Sequence, residues 1–313
     1  MEGTRQGLRA GLNRDMDSEA LPRPERHVHR RATVNVIPVF YCNEMLAESG
    51  CRSPGPSKPR PVVEAWLGAR LPIQVHPIIP ATYENLCLAH DPGFVLGVLS
   101  RQIENGFRNT SAEVARSLPY NAGAMICAAT YALHSGIACA PCCGYHHAGY
   151  ATASMFCTFN GLMVAAVGLL RQGRVKRVLV LDTDFHYGNG TDDIIERLGL
   201  REQVENATLG RWFCTAAQAE RYLEYLRGVA ARFGDFDLIL YHAGVDAHVD
   251  DPLGGVLDSG QMRERERIVF SAAKTAGVPL AWALGGGYQV PISKVIQLHM
   301  ATMEECVRVY VNS

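Results

Sequence analysis

Five stretches of the chain space apolar residues at helical intervals, roughly 111–135, 160–172, 215–232, 260–275 and 292–311. Between them lie short, nearly unbroken apolar runs: Val34 to Phe40, Val178 to Leu181, Asp237 to His242 and Pro279 to Leu284. A continuous run rich in Val, Ile and Leu, without polar alternation, reads as a strand covered on both faces of a parallel sheet. Helices alternating with such strands predict an α/β fold, an open, mainly parallel central sheet flanked by helices. No internal repeat or low-complexity linker divides residues 34–313, so they are expected to form one domain. Residues 1–33 are Arg-rich, carry several acids and Pro22-Arg23-Pro24, and are expected to be a disordered tail. That tail lacks an apolar stretch long enough for a signal peptide or a membrane span, and Glu2, Asp15, Asp17 and Glu19 argue against a mitochondrial presequence.

The chemistry gathers where these runs end, which is where parallel sheets carry their sites. After Val178–Leu181 come Asp182, Thr183, Asp184, Phe185, His186, Tyr187, Gly188, Asn189 and Gly190. Asp182, Asp184 and His186 alternate, so in extended chain they share one face and suit a divalent cation. Gly188 and Gly190 read as a sharp turn, with Asn189 tolerating left-handed geometry. A solvated loop with helix-capping acids is the plainer alternative. The second run leads into Gly244-Val245-Asp246 and Asp250-Asp251-Pro252-Leu253-Gly254, and the last into Gly285-Gly286-Gly287-Tyr288. Upstream, Gly144-Tyr145-His146-His147-Ala148 sets tandem histidines in a Gly- and Pro-rich loop.

Composition narrows the setting. At 313 residues with a formal net charge of -1, the chain has no general attraction for nucleic acid or an anionic membrane. Its ten cysteines are scattered through apolar segments rather than spaced as a secreted disulfide scaffold, which points to a reducing cytoplasm. Cys139-Ala140-Pro141-Cys142 reads as two loop thiols, with a redox pair as the alternative.

Taken together, His146-His147-Ala148, Asp182-x-Asp184-x-His186-x-Gly188-x-Gly190, Gly244-x-Asp246 with Asp251-Pro252-Leu253-Gly254, and Gly285-Gly286-Gly287-Tyr288 resemble the zinc-dependent histone deacetylase family. The family lies in the arginase/deacetylase superfamily, and the resemblance spans roughly residues 34 to 313. Lys58-Pro59-Arg60, Glu64-Ala65-Trp66 and Ala89-His90-Asp91-Pro92 are similar to the bacterial branch that includes acetylpolyamine amidohydrolases. The resemblance implies Asp184, His186 and Asp246 as metal ligands for Zn²⁺, with Fe²⁺ as the alternative because the set is rich in oxygen. It adds structural K⁺ near the strand carrying Asp182.

By motif position, His147 is implied as general base and His146, backed by Asp182, as an electrostatic and proton-donating partner. Asn189 matches the position that contacts the second histidine. A carboxylate behind His146 favours its charged form, while a neutral amide behind His147 leaves that ring able to accept a proton. Tyr288 is implied as the oxyanion stabiliser, flanked by the mobile glycine segment that includes Gly286. Phe156 resembles one tunnel wall, with Trp212 or Phe213 as the opposite one.

Departures from the family pattern bear on substrate. Met155 replaces a usual glycine close to the tunnel floor, where it is expected to reshape the acyl pocket. Leu253 stands where a polyamine-selective member carries an acid, which favours acyl-lysine in proteins or peptides over an acylated small amine. The loop from Met45 to Pro59 is a candidate for restricting the tunnel, and homo-oligomerisation stays open. The expected activity is metal-dependent hydrolysis of acyl-amides. Acetylpolyamine hydrolysis is the alternative, followed by a non-catalytic acyl-group binding protein and a two-manganese hydrolase of the arginase type.

Overall fold

The computed structural model describes residues 35–50 and 53–312. The expected tail, residues 1–33, lies outside the described residues, as does Val34. Seven strands follow in chain order: β1 Ile37–Phe40, β2 Ile73–His76, β3 Ile137–Ala140, β4 Val178–Asp182, β5 Val204–Thr208, β6 Leu238–Gly244 and β7 Leu280–Gly285. They form one sheet in the order β2-β1-β3-β7-β6-β4-β5, and every strand pairing is parallel. Register sets Asp182 opposite His242 and Gly244 opposite Gly285, which brings the functional strand ends level.

Nine α-helices connect the strands among the described residues: α1 Pro59–Gly68, α2 Tyr83–Leu86, α3 Pro92–Leu99, α4 Ala112–Ser135, α5 Gly161–Arg171, α6 Asn189–Arg197, α7 Ala219–Ala230, α8 Ser259–Ala276 and α9 Ile292–Tyr310. Local chemistry sets several of their starts. The side chains of Asp91, Ser111, Asn160 and Asp258 accept from backbone N–H groups of the first turns of α3, α4, α5 and α8. Gly136, at φ 89°, ends α4 in the left-handed conformation that lets the chain turn directly into β3.

Alternation within the apolar runs explains why they carry no polar face. Leu179 and Leu181 of β4, with Ile239 and Tyr241 of β6, join a core shared with α1, α7, α8 and α9. Val178, Val180, Leu238 and Leu240 face the opposite core, shared with α3, α4, α5 and α6. Both faces are dry, as a parallel sheet requires.

One fully buried cation braces the strands from beneath. The Arg265 guanidinium donates to the carbonyls of Thr183 (3.2 Å) and Gly244 (2.6 Å) and pairs with Glu266, which also accepts from Tyr241 Oη at 2.6 Å and Thr302 Oγ1 at 3.1 Å. Thr183 and Gly244 precede or adjoin Asp184 and Asp246, so this network fixes the backbone from which the candidate ligands project.

Candidate active site

The four strands β3, β7, β6 and β4 are neighbours in the centre of the sheet, and the segments leaving their carboxyl ends bring the candidate residues to one place. From the segment after β4, Asp184 and His186 face Asp246 at the end of β6. His186 Nδ1 lies 3.1 Å from Asp184 Oδ1 and 3.0 Å from Asp246 Oδ2. All three offer a ligand atom within 4.8 Å of one another. Asp182, the first acid of the alternating series, is turned elsewhere: its Oδ2 meets His146 Nδ1 at 2.8 Å and accepts from Thr208 Oγ1 at 3.2 Å.

This cluster has the character of a cation site. Burial raises Asp246 to about 7, reinforced by the Asp184 charge. Burial opposes charge on His186, but hydrogen bonding to Asp184 and Asp246 outweighs it and raises the ring to about 10. Such a set needs positive charge at its centre, and one imidazole with two carboxylates suits a catalytic divalent ion with an exchangeable position. The backbone gives it room: a Cβ on Gly286 would collide with the Asp246 carboxyl group, and one on Gly244 would collide with Asp184.

His146 and His147 lie side by side with ring centroids 4.0 Å apart. The loop conformation, rather than a strand, lets neighbouring side chains share a face. His147 Nδ1 meets Asn189 Oδ1 at 2.7 Å, and because that oxygen accepts, Nδ1 carries the proton and Nε2 is left with its lone pair. Burial and then the adjacent His146 charge lower His147 to about 4. Burial also penalises charge on His146, yet Asp182 and Asp184 prevail and raise it to about 9.

Gly188 sits in the sharp turn expected there, in which the Asn189 N–H donates to the Tyr187 carbonyl at 2.7 Å, but its φ is an ordinary -72° and Asn189 opens α6. A Cβ on Gly188 would strike Asp182 Oδ2, and one on Gly190 would strike the backbone of His147 and Ala148. Close approach of the histidine loop, not left-handed geometry, requires these glycines.

Tyr288 lines the same cleft, 6.0 Å from Phe156 between ring centroids. Burial, then the charges of Asp184 and Asp246, push its hydroxyl pKa upward, so it remains a donor. Two residues without a role in the sequence reading hold its loop. Asp251 Oδ2 accepts from the Tyr288 N–H at 2.7 Å. Lys58, buried at the end of the 53–58 segment, donates to the carbonyls of Gly285 (3.2 Å) and Gly286. The Lys58-Pro59-Arg60 echo was the only sequence signal for the latter. His242, also unassigned from sequence, lines the cleft beside His146.

Phe156 forms one wall, and the ring beside it in the cleft is Phe107, with centroids 6.1 Å apart and planes inclined by 28°. Neither Trp212 nor Phe213 lines this cleft. Trp212 is 57% exposed beneath the Arg211 guanidinium, and Phe213 packs into the core against Tyr222. Met155 lines the cleft with a side chain that is 52% exposed, which places it at the rim rather than the floor, and its backbone stands at φ 44°. That left-handed φ is also why glycine suits the position. Leu253 is 47% exposed and absent from the cleft wall; its N–H is held by Asp251 Oδ1 at 3.0 Å. The segment before α1 does contribute to the wall, through Ser53, Pro54, Gly55, Pro56 and Lys58. Cys139 belongs to β3 rather than a loop, and both it and Cys142 are buried free thiols whose pKa burial raises.

Comparison with known proteins matches this geometry. The histone deacetylase domain profile matches residues 62–206 and 200–303. An uncharacterized protein of Picosynechococcus is 30% identical over 242 residues, covering 68% of this chain and 78% of the relative. An acetylpolyamine amidohydrolase of Mycoplana ramosa is 32% identical over 176 residues, 47% of this chain and 50% of that protein. A crystal structure of an acetylpolyamine aminohydrolase from Burkholderia pseudomallei superposes with a TM-score of 0.70 at 16% identity, covering 87% of this chain and 99% of that one. The chain belongs to the histone deacetylase family of amidohydrolases, with the arginase/deacetylase fold. Members of that family are generally zinc-dependent. Among the described residues, no helix is long and apolar enough to cross a membrane.

Proposed function

We propose that this protein is a metal-dependent hydrolase that removes acetyl or another acyl group from an amine, with the lysine side chain of a protein or peptide as first substrate. The observation that carries this reading is the pair of adjacent histidines tuned in opposite directions beside Asp184, His186 and Asp246. Those three residues would hold the ion, Zn²⁺ first and Fe²⁺ as the alternative; when bound, such an ion activates water and polarises a carbonyl.

The chain's own groups supply the rest. His147 Nε2 has the free lone pair and low basicity of a general base that is neutral near pH 7. His146, held charged against Asp182, stabilises negative charge and stands ready to donate toward the departing amine. Tyr288 supplies a neutral O–H donor to the oxygen on which charge develops. Gly286 and Gly287 line the cleft beside Tyr288, while Phe156 and Phe107 flank the extended alkyl part of an acyl-lysine. K⁺ near the β4 segment is a proposal that follows from the family alone.

Hydrolysis of lysine peptides carrying acetyl, lactyl, longer acyl and trifluoroacetyl groups, run beside acetylputrescine and acetylspermidine, tests the reading. Turnover of a lysine peptide that a hydroxamate chelator abolishes supports it. Turnover confined to polyamines replaces the substrate with that of the second reading, which the Mycoplana relative and the place of residues 53–58 in the cleft wall favour. No turnover with the ion bound rejects an enzymatic role. A soluble cytoplasmic protein acting in one or more copies accords with the composition, as does a domain spanning residues 34–313.

A further inference from the structure

His242 stands in β6 four residues before Asp246 and is 1% exposed, yet its Nδ1 has no hydrogen-bond partner among the described residues. A buried imidazole ordinarily finds partners. His90 shows the usual arrangement, with Nδ1 2.9 Å from Gly149 O and Nε2 accepting from the Asn160 N–H at 2.8 Å. His242 Nδ1 is buried without a partner, whereas Nε2 points toward Asp184 Oδ2 at 3.8 Å. On the other side of the same carboxylate, His146 Nε2 lies 3.7 Å from Asp184 Oδ1. The His146 and His242 ring centroids are 4.8 Å apart, and all three residues line the cleft.

These separations are too long for hydrogen bonds and suit a shared cation. Two ligand bonds of about 2.1 Å, meeting at an angle between tetrahedral and trigonal, hold their donor atoms roughly 3.4 to 3.6 Å apart. Donor atoms of His146, Asp184 and His242 all fall within 4.8 Å of one another, so inward movement by at most about 1.4 Å brings every pair to that spacing. Two imidazoles and a carboxylate match the preferences of Zn²⁺, Mn²⁺ and Fe²⁺.

We propose that His146, Asp184 and His242 form a second divalent-cation site that shares Asp184 with the first, fills after it, and removes His146 from proton transfer. Only the last clause rests on the amidohydrolase reading. Geometry ranks the two sites. The first group offers two carboxylates and donor separations of 3.0 and 3.1 Å, the second one carboxylate and separations of 3.7 and 3.8 Å, so the second ion binds more weakly. Asp184 is the sole ligand common to both groups, so two ions would be bridged by one carboxylate.

Mn²⁺ titration of the full-length apoprotein, followed by electron paramagnetic resonance and by metal analysis after equilibrium dialysis, tests the site. The expected result is two ions per chain at saturation with the exchange-coupled signal of a carboxylate-bridged pair, against one isolated ion in His242→Gln. Asp246→Ala is expected to keep one ion and Asp246→Ala/His242→Gln to keep none. A single uncoupled ion in the saturated wild-type protein overturns the site without recourse to any variant. Loss of turnover as the second Zn²⁺ loads, relieved in His242→Gln, supports the inhibitory role; equal loss in both proteins overturns that role. Absence of turnover at every loading rejects the amidohydrolase reading and leaves the two-ion stoichiometry to be judged by itself.

Discussion

His146 and His147 stand with ring centroids 4.0 Å apart, yet one is backed by a carboxylate and the other by an amide, Asp182 at 2.8 Å and Asn189 at 2.7 Å. The difference separates their proton affinities to about 9 and about 4. Adjacent imidazoles with similar backing would compete for one proton. Here the charge stays on His146, and His147 is left as the acceptor.

Replacing the amide tests that separation. In Asn189→Asp a carboxylate faces His147 Nδ1 and raises the pKa of the ring. A base works only when neutral, so the acid limb of the pH profile for kcat/KM is expected to move upward, with activity lost at a higher pH as acid is added. A limb that stays in place removes His147 from the role of base.

Tyr288→Phe removes one hydroxyl donor and keeps the ring that packs near Phe156. Turnover is expected to fall about 10²- to 10³-fold with metal content unchanged. Parallel measurement of kcat and bound Zn²⁺ separates this from collapse of the site; unchanged kcat excludes the tyrosine from catalysis.

His90 ties the histidine loop to the start of α5, and burial lowers it from 6.5 to about 4. In the unfolded chain it takes up a proton first as pH falls. Its stabilising contribution is therefore complete above about pH 6.5 and is lost between there and pH 4, by up to ~3 kcal/mol. Urea unfolding at pH 7 and pH 5 should show a smaller pH-dependent loss in His90→Gln than in the wild type. Equal losses contradict a buried neutral His90.

Arg265→Met leaves Glu266 buried without its cationic partner and removes a donor from the carbonyls of Thr183 and Gly244. Removing one member of a buried ion pair costs about 3 to 5 kcal/mol. Weaker metal retention should accompany the loss, and Arg265→Lys should recover only part, since an ammonium lacks the fork that reaches the carbonyls through Nη1 and Glu266 through Nη2. Stability within about 1 kcal/mol of wild type, measured by denaturant unfolding, contradicts the bracing role.

Legibility in the sequence followed burial. Central strands β4, β6 and β7 are covered on both faces, so their apolar runs stood out and their ends were placed within a residue or two. The edge strands β2 (Ile-Gln-Val-His) and β5 (Val-Glu-Asn-Ala-Thr) each have a wetter face and left no apolar run. β3 is central and buried, but Ile-Ala-Cys-Ala is built mainly of small residues with weak strand preference.

The sequence by itself determined the α/β alternation, the order of the motifs and the residue types offered to a metal and to a substrate carbonyl. These depend on local periodicity and on chemistry within a few residues. Only the tertiary structure decided that Phe107 rather than Trp212 or Phe213 stands beside Phe156, that Met155 stands at the rim of the cleft and that Leu253 lies outside it. It alone placed Lys58, His242, Asp251 and Arg265 around the site. Each of these facts joins residues far apart in the chain or depends on which way a backbone turns, and strand register and close packing fix both.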